Sequence, residues 1–197
     1  MAVQTQTMPD VGQLNDVRRF TIEEYYKIAE TGIFDNERVE LINGKIITMA
    51  AMNTPHIGMV TRLIRLLNTT DFAEQYTLLS QVPMRIETYN EPEPDIMMAK
   101  FREDDYLNVY PTPDVMHLLI EVADTTLARD REEKKRNYAS SNIPEYWIVN
   151  LPDRQIEVFK EPKGDDYNFK RIIQSGAVTC KAIGFTVVVE DLFRHLR

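Results

Sequence analysis

The chain contains one cysteine, Cys180, in 197 residues. That excludes an intrachain disulfide and any zinc site built from several thiolates. Thr179 and Lys181 alternate with apolar neighbours around it, so Cys180 reads as a small core or half-buried strand residue. Long apolar runs are also missing. No stretch reaches the roughly 18 apolar residues of a membrane-spanning helix. The opening MAVQTQTMPDVGQLNDV has neither the basic nor the apolar segment of a secretory signal, so the cytoplasm is the expected location. Positive charge is in short supply, with 23 Lys and Arg against 31 Asp and Glu, a net −8. A molecule of that sign repels polyanions, and a nucleic-acid function would need a local basic patch or a bound metal to offset it. Neither a Lys/Arg-rich recognition helix nor a zinc finger is present, so base-specific readout is not evident. Internal repeats and low-complexity tracts are absent.

The length and apolar content suit one ordinary domain with a buried core. Residues 1–16 are polar and aperiodic and read as a disordered arm, leaving 17–197 as the domain. In TIEEYYKIAE, Thr21 and Glu24 form a capping box ahead of a short amphipathic helix, which Gly32 stops. RVELINGKIITMA carries two apolar runs around Asn43-Gly44, a strong hairpin signal, and puts Glu40 on a strand. TPHIGMVTRLIRLLNTT predicts a helix capped by Thr54, with Pro55 at its first position. Ile57, Val60, Leu63, Ile64 and Leu67 would face the core and Arg62 and Arg65 the solvent.

YTLLSQVPMRIE and PDIMMAK read as successive strands, VMHLLIEVA as a strand buried on both faces, DREEKKRNYASSN as a helix and EYWIVNL as another buried strand. QIEVFKEP and DYNFKRII bracket a turn at Lys163-Gly164-Asp165, a second hairpin. Strand, helix, strand over 116–150 is a crossover unit, whereas the hairpins are antiparallel. The expected fold class is therefore α/β, a mixed sheet flanked by helices.

Some carboxylates do not suit their elements. Asp95 opens a strand, and Glu121 interrupts one that otherwise is apolar throughout. A buried ionised carboxylate is costly unless paired or metal-bound. If the two strands are neighbours, Asp95 and Glu121 converge and repel unless a cation or a shared proton joins them. Oxygen donors of this kind suit Mg²⁺ or Mn²⁺. Downstream, Asp130 and Glu133 form a capping pair that would start the next helix, with Lys134 in its first turn. Lys134 and Tyr138, four residues apart, share a face.

Each of these residues has a structural alternative. Asp95 can cap a strand after Pro92 and Pro94. Glu121 and Lys134 can form a purely structural ion pair. Lys134 sits in a charge run of the kind that usually marks a solvated face, Glu40 can be an exposed edge residue, and His56 a capping or surface residue. Tyr25, Tyr26, Tyr138, Tyr146 and Trp147 read as core or interface aromatics.

Pro94-Asp95 followed by Glu121-Val122-Ala123 resembles the PD-(D/E)xK nuclease superfamily, the restriction-endonuclease-like fold. More specifically, RVELINGKII, EPDI, LLIEVADTT, RDREEKKRNYASSNIPEYWIVN and the C-terminal hairpin resemble the Uma-type restriction-endonuclease family. That family was long described as a domain of unknown function and is abundant in cyanobacteria. The resemblance runs over residues 20 to 195 in the family's order. It implies that Asp95 and Glu121 are catalytic acids that hold Mg²⁺ (or Mn²⁺) together with the carbonyl of Val122, and that Glu40 is an accessory carboxylate near metal-bound water.

The superfamily's usual lysine position is Ala123, a departure from the pattern. The resemblance implies a migrated lysine, Lys134, that orients water or stabilises charge on the phosphate. His56 and Gln81 fall where the family has polar site residues, and Tyr138 joins them as a possible accessory residue. The implied activity is endonucleolytic hydrolysis of phosphodiester bonds in DNA. Double-strand cleavage by nucleases of this fold commonly involves a dimer, and the aromatic-rich C-terminal half offers apolar surface, so a homodimer is expected. The competing expectation is a catalytically silent module of the same fold that binds nucleic acid or protein, which the acidic surface favours.

Overall fold

The computed structural model describes residues 17–68 and 75–196; the arm expected at 1–16 lies outside the described residues. The first helix, α1 (Ile22–Ala29), starts as its sequence predicts. Glu24 N–H donates to Thr21 Oγ1 and Thr21 N–H donates to the Glu24 carboxylate, closing the capping box. Strands β1 (Val39–Ile42) and β2 (Lys45–Thr48) pair antiparallel. Both turn residues, Asn43 and Gly44, have positive φ, 53° and 74°, the geometry that a two-residue hairpin demands.

Helix α2 (Thr54–Leu67) departs from expectation at two points. Its cap is Asn53, not Thr54: the Asn53 side-chain oxygen accepts from His56 N–H at 3.0 Å, which leaves Pro55 in the second helical position. The buried face is Met59, Val60, Leu63 and Leu67, while Ile57, expected in the core, is 49% exposed. Val60, Leu63 and Leu67 are buried as expected and Ile64 partly so, while Met59 takes the inward place expected of Ile57. Arg62 is half-buried because its Nη1 donates to the carbonyls of Leu192 and Arg194.

The main sheet has six strands in the order β3 (Tyr76–Leu79), β4 (Ile96–Lys100), β5 (Met116–Ala123), β6 (Glu145–Asn150), β7 (Gln155–Lys163), β8 (Asp166–Ile173). Only β5 and β6 run parallel; their crossover contains the helix between them, and every other neighbour is antiparallel. β3 is shorter than its apolar run predicts. Gln81 has a φ of 52° and Pro83 lacks an N–H, so from Ser80 onward the chain leaves the ladder. A separate hairpin, β9 (Ala177–Cys180) and β10 (Phe185–Val188), leads into α5 (Val189–Leu192).

Two apolar layers cover the sheet. On one face α2 and the β9–β10 hairpin bury Leu118, Ile120 and Val122 of β5. On the other, Leu119 and Ala123 pack with Tyr138 and Ala139. Side chains alternate between faces along a strand, so Glu121 points to the second face, toward the crossover helix. Cys180 is buried in β9.

The crossover helix differs from the predicted one. It begins with a short turn, α3 (Leu127–Arg129), continues as a π-helical turn over Asp130–Lys134 and ends as α4 (Lys135–Ser140). Asp130 is therefore not a cap: its N–H already donates to the Thr126 carbonyl and its carboxylate accepts from Thr126 Oγ1 at 2.7 Å. Lys134 is likewise not in a first turn. It lies in the π turn, a wider ring that recurs at functional sites. No helix among the described residues is long and apolar enough to cross a membrane.

Candidate active site

The β4–β5 register pairs Ile96 with Ile120. Continued by one residue, it sets Asp95 opposite Glu121 on the face turned toward the crossover helix. Asp95 is nearly buried and held from three sides. His56 Nε2 lies 3.1 Å from Oδ2, Gln81 Nε2 donates to Oδ1 at 3.1 Å, and the Val122 N–H donates to Oδ2 at 2.8 Å. In an extended strand the N–H and C=O of one residue point to the same edge, so the Val122 carbonyl also faces Asp95. Burial raises the Asp95 pKa, but the bonds from His56, Val122 and Gln81 outweigh it and hold the carboxyl below its usual range. His56 shifts in the complementary direction: burial lowers its pKa, the Asp95 carboxylate more than compensates, and the net shift is upward.

Glu121 is 4% exposed. Lys134 Nζ lies 3.1 Å from its Oε1, and Tyr138 OH donates to the same oxygen at 2.8 Å; neither reaches Oε2. The shared face of Lys134 and Tyr138 thus closes over one carboxylate. Lys134 Nζ also lies 3.2 Å from Glu40 Oε2, and Glu40 is buried on β1 rather than exposed at its edge. The Glu93 N–H donates to Glu40 Oε2 at 3.3 Å, and Arg129 stands 3.9 Å from the other oxygen.

Burial drives the ionisation of Glu121 up to about 8; Lys134 opposes the shift, and Asp130, Asp95 and Glu40 reinforce it. Burial alone would discharge Lys134, yet Glu121, Glu40 and Asp130 around it raise its pKa and keep it an ammonium. Burial and then the neighbouring Glu121 raise the Tyr138 phenol well above its usual value, so it remains a donor.

All of the sequence-predicted residues except Tyr138 line one cleft between the β1–β2 hairpin, the start of α2 and the crossover helix. Its lining contains six carboxylates, Glu40, Glu93, Asp95, Glu121, Asp124 and Asp130, against Arg38, Arg129 and Lys134. Repulsion among close carboxylates is relieved by a proton or a cation. Among the described residues no group of three or more His, Cys, Asp or Glu side chains is placed to hold a metal ion. The oxygen groups that face one another are two carboxylates, Asp95 and Glu121, and the Val122 carbonyl beside them.

Several contributors carried no clear signal in the sequence, among them Asp130, Thr126 and Asn53. Asp130 read as a helix cap but lines the cleft. Thr126, four residues before it, gave the spacing signal that could have revealed their bond. Asn53 caps α2 and also donates from Nδ2 to Asp124 at 2.5 Å, tying the His56-bearing turn to the loop after β5. That long-range bond had no sequence signal.

A family model described as "Uma2: Putative restriction endonuclease" matches residues 22–186. Among solved structures, the chain is similar to a crystal structure described as a "putative nuclease belonging to DUF820" from Anabaena variabilis. The TM-score is 0.72 at 15% sequence identity, covering 90% of this chain and 99% of that one. At that identity the likeness is one of fold, and it agrees with the mixed sheet flanked by helices. The search of the curated proteins found no match.

Proposed function

The chain belongs to the Uma2 family, described as putative restriction endonucleases, and from that premise we propose that it is a metal-dependent endonuclease hydrolysing phosphodiester bonds in DNA. The observation that carries the reading is the meeting of Asp95, Glu121, Glu40 and Lys134 in one cleft. These are three carboxylates and one cation drawn from four separate segments. A domain stabilised only by packing gains little from burying so many acids together.

Asp95, Glu121 and the Val122 carbonyl fit Mg²⁺ or Mn²⁺, which take one or two carboxylates and complete their shell with water and phosphate oxygens. When bound, such a cation polarises a phosphate oxygen and acidifies a coordinated water. The chain's own residues do the rest. His56 and Gln81 fix the Asp95 carboxylate so that it presents a defined edge to the cleft. Tyr138 anchors Glu121. Lys134, held between Glu40 and Glu121 in the wall of the cleft, would donate to a phosphate oxygen as negative charge builds there. Glu40 keeps Lys134 charged and offers an acceptor for a water proton. The acidic lining also explains why cleavage would require a divalent cation: without one, DNA phosphates are repelled.

One observation favours a second reading, a catalytically silent module of the same fold. Both Asp95 oxygens already accept bonds from the protein and Lys134 is paired twice, so these two groups have partners without a cation, although His56 Nδ1 is buried without one. Plasmid nicking separates the two. The endonuclease reading expects supercoiled DNA to be opened in Mg²⁺ or Mn²⁺ by the wild type and not by Asp95→Ala. Absence of nicking with either metal would leave the silent module.

A further inference from the structure

Acidic residues are frequent along this chain, 31 in 197, yet residues 41–70 contain none. This stretch of 30 residues carries Lys45, Arg62 and Arg65 and includes the wall of the cleft that faces the carboxylates, together with all of α2. The α2 side of the site therefore carries no carboxylate, whereas the strand and crossover-helix side carries all six carboxylates of the cleft together with Arg38, Arg129 and Lys134.

The first turn of α2 divides two depressions. Asn53 and His56 line the carboxylate cleft. Thr54, Gly58 and Arg62, with His195, line an adjoining groove whose described lining holds no carboxylate. Arg62 is fixed in that wall by its two bonds to the Leu192 and Arg194 carbonyls. One turn further along the exposed face, Arg65 has no partner among the described residues, and Ile57 projects as an exposed apolar side chain near the cleft mouth.

Gly58 is the unexpected residue. After proline, glycine is the poorest helix former, and packing does not require it here: a Cβ at Gly58 would meet nothing within 4 Å. At Gly58 the helix therefore presents bare backbone to this groove.

We infer that the α2 groove is the docking surface for the DNA strand next to the cleaved bond. Arg62 and Arg65 would contact its phosphates, with Gly58 permitting close approach. The inference rests on the nuclease reading and supplies what the net −8 withholds, a local cationic surface that begins where the carboxylate cleft ends. A protein partner of acidic character is the alternative occupant that binding to DNA would exclude.

The test is DNA binding by the full chain, read by fluorescence anisotropy on a labelled duplex in Ca²⁺ over a range of salt, alongside plasmid nicking in Mg²⁺. Arg65→Ala should weaken binding and reduce the slope of log affinity against log salt by about 0.9, the share of one phosphate contact. Arg171→Ala on β8 should change neither. Gly58→Ala should raise the melting temperature, because alanine is the better helix former, and yet weaken DNA binding several-fold. That opposite movement distinguishes docking from damage to the fold. If the wild type binds and nicks DNA while Gly58→Ala and Arg65→Ala do so equally well, the docking surface lies elsewhere and the nuclease reading stands. If the wild type neither binds nor nicks DNA, both fail together.

Discussion

Lys134 Nζ stands 3.1 Å from Glu121 Oε1, thirteen residues away in sequence and across the boundary from helix to strand. Both side chains are buried, and a second carboxylate, Glu40, lies 3.2 Å from the same nitrogen. Removing one partner of a buried pair leaves the other uncompensated, at a cost of about 3–5 kcal/mol. Above pH 8, where Glu121 is ionised, Lys134→Met should therefore destabilise the domain by that order. Glu121→Gln in the Lys134→Met background should recover a substantial part. Urea denaturation of the two single variants and the double variant measures the coupling; additive losses would show that the two groups are not paired in solution.

Stability should depend on pH through Glu121. Its folded ionisation, pushed up to about 8 by burial, lies above the ordinary carboxylate value of 4.5. The folded state thus holds the proton more tightly than the unfolded chain. The stabilisation this gives is complete below pH 4.5 and is lost as pH rises toward 8. The difference in unfolding free energy between wild type and Glu121→Gln should move against the wild type across that window. Parallel pH profiles for the two proteins would contradict the assignment.

Asn53 joins two parts of the site through one amide, accepting from His56 N–H and donating to Asp124. Loss of an N-cap costs about 1 kcal/mol. Asn53→Ala should reduce stability by about that amount and lower nicking through the displaced His56 turn, whereas Asn53→Asp should retain the cap. Thermal melts and nicking rates of the two variants check this, and equal melting temperatures for Asn53→Ala and the wild type would refute the capping role.

Much of the scaffold was legible in the sequence because its signals are local. The Thr21 and Glu24 spacing specifies a capping box, Asn43-Gly44 a hairpin turn, and the nearly continuous apolar run around Leu118–Val122 a strand covered on both faces. The one carboxylate in that run, Glu121, was legible as an anomaly for the same reason. The π turn was not. Its residues form a charge run without apolar periodicity, and its widening accompanies distant partners. Lys134 is drawn inward to Glu40 and Glu121, and Arg131 forks onto the buried Glu157 of β7. The cap of α2 was misplaced by one residue because Asn53 and Thr54 are both competent caps; Asn53 takes the position while also bonding Asp124. Local propensity cannot weigh such a bond.

Cleavage of both strands at one site calls for two active sites, and we propose that the protein acts as a homodimer. Light scattering at working concentration should return twice the mass of the 23.0 kDa chain. A monomer mass in the presence of both DNA and divalent cation would end that proposal.

We propose that Asp95 and Glu121 face each other in order to share a divalent cation. A crystal soaked in Mn²⁺ and measured at the manganese absorption edge tests this most directly. An anomalous peak is expected between the two carboxylates, beside the Val122 carbonyl, and should disappear in Asp95→Ala. An intact cleft without a peak, or with the cation bound elsewhere, would contradict it.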